Sequence, residues 1–82
     1  MYFDSRQRDH LASLTKDLFR SYERKGWNIR SPMPGDGFTQ VVNEIHKVVE
    51  SAACDMGYDG QSVKFEVTNL IFEVYHVHFE DR

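Results

Sequence analysis

The sequence predicts an α+β domain in the order α-β-α-β-β. Two helices should pack on one face of a three-stranded sheet whose long C-terminal strand is central. Three observations lead there. Residues 63–67 and 70–79 are dense in β-branched and aromatic side chains, and the Thr68-Asn69 linker between them has the length of a hairpin turn. Residues 11–22 and 38–56 instead repeat apolar positions at three- and four-residue spacing, the period of a helix. Finally, 82 residues can build only one small core, so residues 1–82 form a single domain.

The first helix is expected from about Ser5 to Lys25. Asp4 or Ser5 can cap its start, because a short polar side chain there accepts from an unpaired backbone N–H. Leu11, Leu14, Leu18 and Tyr22 form one apolar stripe, widened by Phe19. Gly26 suits the position just past the end, where positive φ is needed, and Trp27 can fold back on the last turn. Residues 27–31, Trp-Asn-Ile-Arg-Ser, alternate and read as a short strand with Trp27 and Ile29 on one side. Pro32 and Pro34 then impose a loop up to Gly37.

The second helix carries Phe38, Val41, Val42, Ile45, Val48, Val49, Ala52, Ala53 and Met56 in register, with Asp36 as the expected N-cap and Gly57 as the stop. In the hairpin that follows, pairing across Thr68-Asn69 sets Val67 opposite Leu70, Phe65 opposite Phe72 and Val63 opposite Val74. Those six would share the face against the second helix, since strand side chains alternate. Lys64 would meet Glu73 on the other face.

Composition narrows the function classes. The net charge is −3, unevenly spread: residues 1–30 carry seven Lys/Arg against four Asp/Glu, and residues 31–82 three against nine. Such a dipolar chain can orient a charged partner. One cysteine, Cys54, forms no internal disulfide and fits a reducing compartment. Met1 to Arg6 is charged at once with no apolar region behind it, and no apolar run approaches the ~20 residues of a membrane span. A cytoplasmic protein without membrane contact is expected.

Candidate chemistry is sparse. His76 and His78 would share a strand face at a known ligand spacing, yet no third ligand is placed beside them, so neither metal nor any other cofactor is expected. His46 and Cys54 lie eight residues apart on the second helix, about 12 Å of rise, too far for a base and its thiol. Residues 33–37, Met-Pro-Gly-Asp-Gly, precede a helix but lack the lysine and glycine spacing of a phosphate loop. Arg6, Lys16, Arg20 and Arg24 give the first helix a basic side that could touch phosphates, as a nucleic-acid-binding module would. Asp9, Asp17 and Glu23 share that surface, which disfavours nucleic acid.

The remaining feature is apolar. Ile71, Tyr75, Val77 and Phe79 would point away from both helices, forming a stripe that monomers seldom expose. The expectation is therefore a small non-enzymatic regulatory or inhibitory protein that binds another protein, or pairs as a homodimer, through those four residues. An inhibitor of a host enzyme, encoded by a phage or mobile element, has this profile.

Overall fold

The computed structural model describes residues 3–29 and 37–79. Three helices, α1 (Ser5–Arg24), α2 (Phe38–Asp55) and α3 (Gly60–His78), pack pairwise around one core. No strand occurs among the described residues. The expected α+β fold is thus corrected to an all-α bundle, and the expected hairpin is one continuous helix.

α1 begins where its sequence says. Asp4 is the N-cap, its Oδ1 accepting from the Arg6 N–H at 2.9 Å. Leu11, Thr15 and Phe19 recur every four residues and are buried; the Thr15 hydroxyl donates to the Leu11 carbonyl at 2.8 Å, which pays its desolvation cost. The Trp27 N–H donates to the Tyr22 carbonyl and the Gly26 N–H to that of Glu23, the paired bonds of a Schellman stop. Trp27 to Ile29 form no strand, which corrects the expected one; Ile29 is in the core and Trp27 packs against it. Arg30 and Ser31 lie outside the described residues.

α2 buries Val41, Ile45, Val49 and Ala53, again a four-residue row. Its N-cap is Gly37, and the expected cap Asp36 lies outside the described residues. Val48, expected inside, is 44% exposed. The C-terminus repeats the stop of α1. Gly57 has φ 99°, Tyr58 N–H donates to the Ala53 carbonyl, and Gly57 N–H to that of Cys54.

α3 follows after a short turn. Asp59 caps it by accepting from the Gln61 N–H and from the Ser62 hydroxyl, the latter at 3.0 Å. Val63, Val67, Leu70, Ile71, Val74 and Tyr75 are buried, the spacing of a helical stripe. Thr68, expected in a turn, bonds back to the Lys64 carbonyl at 3.0 Å, as threonine does inside helices.

Both ends of the bundle are closed by aromatic contacts. At one end the Phe19 ring lies 5.3 Å from Phe79 and 5.7 Å from Tyr75, and Tyr75 lies 5.1 Å from Phe38. At the other, Phe3 meets Tyr58 edge to face at 5.0 Å. Tyr58 also accepts from the Asp4 N–H and donates to Gln7, tying the start of α1 to the α2–α3 turn.

Candidate functional site: the outer side of the third helix

Winding residues 60–78 into a helix redistributes the apolar side chains. Of the four residues expected to face a partner, Ile71, Tyr75 and Phe79 are buried in the core, and only Val77, 63% exposed, is on the surface. Two residues expected in the core come out instead. Phe65 is 78% exposed and Phe72 is 38% exposed. The helical period explains both: residues 65 and 72 fall off the stripe made by 63, 67, 70, 71 and 74. Seven apart, they stand on the same side of α3, about 10.5 Å from one another along its axis. Their spacing was readable in the sequence, but only once the segment is taken as a helix.

Phe72 borders a groove between α2 and α3. Phe38 and Val42 supply its other apolar walls, and Thr39, Asn43, His46 and Thr68 its polar edge. At about 250 Å³ it falls just below the usual range of small-molecule pockets and has room for the side chains of a docked segment. His46 braces one end. Its Nε2 lies 3.1 Å from Thr68 Oγ1 and 3.3 Å from the Lys64 carbonyl, while its Nδ1 lies 3.2 Å from Glu50 Oε2. Because Thr68 already donates to the Lys64 carbonyl, its oxygen accepts from His46. The imidazole thus joins α2 to α3 beneath the groove.

Val77 belongs to a different place. It borders a shallow groove between α1 and α3 with Ala12, Leu70 and Val74, next to the Arg8–Glu73 ion pair. Val77 sits five positions, about 140° of helix turn, from Phe72, so the two do not form one surface.

The other sequence candidates are not brought together. His76 and His78, expected on one face of a strand, are two apart on a helix and point to roughly opposite sides. Among the described residues no group of three or more His, Cys, Asp or Glu could hold a metal ion. Cys54 is exposed, and Glu50, one turn before it, is engaged with His46. Arg6, Arg20 and Arg24 are exposed and Lys16 half-buried along α1, with Asp9 and Asp17 exposed among them, so the basic side is broken by acids. Residues 33–36 of the glycine-containing loop lie outside the described residues. None of the described helices is long and apolar enough to cross a membrane. Comparison with models of protein families, with curated proteins and with solved structures gave no match to this chain.

Proposed function

We propose that this protein works by binding another protein, as a small regulator or inhibitor without chemistry of its own, through the outer side of α3 and the groove beside it. The observation that supports this reading is the exposure of Phe65 and Phe72 on one side of a helix whose core stripe is complete without them. Water against aromatic surface is unfavourable, and exposed apolar clusters of this kind on folded chains mark contact surfaces. Aromatic side chains are also the commonest anchors of protein contacts, and the Phe38, Val42 and Phe72 walls offer a recess for a partner's side chain. The setting we propose is the reducing cytoplasm, where the free, exposed Cys54 stays a thiol.

The test is affinity capture from lysate of the source cell, with the wild-type chain and Phe65→Ser/Phe72→Ser compared by mass spectrometry. A protein retained by wild type and lost with the double variant is expected, with unchanged helical circular dichroism for the variant. Identical retention by both chains refutes the assignment of the surface.

A further inference from the structure

We infer that the occupant of the outer side of α3 is a second copy of this chain, paired antiparallel along that helix about a two-fold axis beside Asn69. The inference rests on reading this side as a binding surface and adds what covers it. Phe65, Asn69, Phe72 and His76 recur at alternating four- and three-residue steps, and all four are exposed. That is the spacing of a two-heptad seam between paired helices, separate from the stripe α3 gives to its own core.

The seam is self-complementary. Antiparallel order places Phe65 of one copy level with Phe72 of the other, and the two-fold repeats the contact. Asn69 then stands next to the axis and meets its own counterpart. An amide both donates and accepts, so two asparagines satisfy each other, and an asparagine in such a seam fixes the register. His76 comes level with Gln61 of the second copy, a pairing of two hydrogen-bonding side chains.

Charge favours a copy over other surfaces of the molecule. The chain carries −3 overall, and identical surfaces bring identical charges together. The four seam positions hold no Lys, Arg, Asp or Glu, and neither does the lining of the adjoining α2–α3 groove. This is unusual ground in a chain of which 28% is charged. The outer side of α1, in contrast, would set its arginines and aspartates against copies of themselves. On the α1 flank of the seam, Glu66 of one copy comes near Glu73 of the other. Arg8, already bonded to Glu73, supplies the cation between them.

Two heptads form a small contact, below about 1,200 Å², so the pairing is weak and reversible.

Sedimentation of the full chain tests this, from about 10 µM to about 1 mM, the range of weak association. The weight-average mass should climb from one chain towards two, and Phe65→Ser/Phe72→Ser should remain at one while keeping its helical spectrum. As a test of register, Cys54→Ser/Asn69→Cys should oxidise to a covalent dimer, while Cys54→Ser/Ser13→Cys, on the outer side of α1, should not. A wild-type chain that stays monomeric at the highest concentration overturns the inference. If that monomer still retains a different protein through Phe65 and Phe72, the occupant is foreign and the protein-binding reading survives. A dimer untouched by the double substitution places the contact elsewhere and also overturns it.

Discussion

Ile71→Ala and Phe65→Ala, measured side by side, test which side of α3 faces the core. Ile71 is fully buried, so removing its outer carbons leaves a cavity and should cost about 2–5 kcal/mol. Phe65 is 78% exposed, which leaves roughly 40 Å² covered out of an aromatic side chain of about 200 Å². At ~25 cal/mol per Å² that covered area contributes about 1 kcal/mol. Alanine returns about half of it through better helix propensity. Phe65→Ala should therefore cost about 0.5 kcal/mol, several-fold less than Ile71→Ala. The assay is urea unfolding followed by far-ultraviolet circular dichroism, with stability taken from midpoint and slope. A small domain can lose most of its stability to the larger change, so Ile71→Val, expected at about 0.5–1.5 kcal/mol, serves as the milder probe. The strand arrangement predicts the reverse order, with Phe65 inside and Ile71 outside. A Phe65→Ala loss larger than that of Ile71→Ala would refute the helical packing.

Two further substitutions probe local features. Gly57→Val should lower the melting temperature, because Gly57 holds φ 99° and a side chain there meets no neighbour, leaving backbone strain on the order of 1–3 kcal/mol as the sole cost. An unchanged melt would show that the stop of α2 does not need the left-handed conformation. His46→Ala should cost about 1 kcal/mol by removing the bonds between α2 and α3, and a double-mutant cycle with Thr68→Val should be non-additive. Strictly additive losses would mean that the ring and the hydroxyl do not bond.

The first two helices were legible because several independent signals agree at each end. Asp4, Gly26 and Gly57 are punctuation that means the same thing in almost any context, and the rows Leu11/Phe19 and Val41/Ile45/Val49 fit the 3.6 period alone. α3 was misread because its composition and its period disagree. Val63, Phe65, Val67, Leu70, Phe72 and Val74 alternate well enough to pass as two strands, and β-branched and aromatic residues lower helix propensity by a few tenths of a kcal/mol each. Tertiary packing outweighs that sum: a buried stripe of Val63, Val67, Leu70, Ile71, Val74 and Tyr75 stabilises by about 1.5–3 kcal/mol per large side chain. Two smaller signals pointed the right way. Thr68-Asn69 lacks the glycine a two-residue turn prefers, and Asp59 with Ser62 has the form of a helix start.

The misreading exchanged which apolar side chains of this segment are exposed, but on either reading some are. Residues 63–79 hold ten large apolar side chains, more than one face of any regular element can bury. A strand period leaves Ile71, Tyr75, Val77 and Phe79 outside. A helical period leaves Phe65, Phe72 and Val77. Only Val77 is outside on both, and it sits apart from the two phenylalanines, beside Arg8 and Glu73. An apolar excess on this segment is thus a property of composition, whereas its placement is a property of the fold. The expectation of a contact surface came from the first, and the residues proposed to carry it, Phe65 and Phe72, could come only from the second.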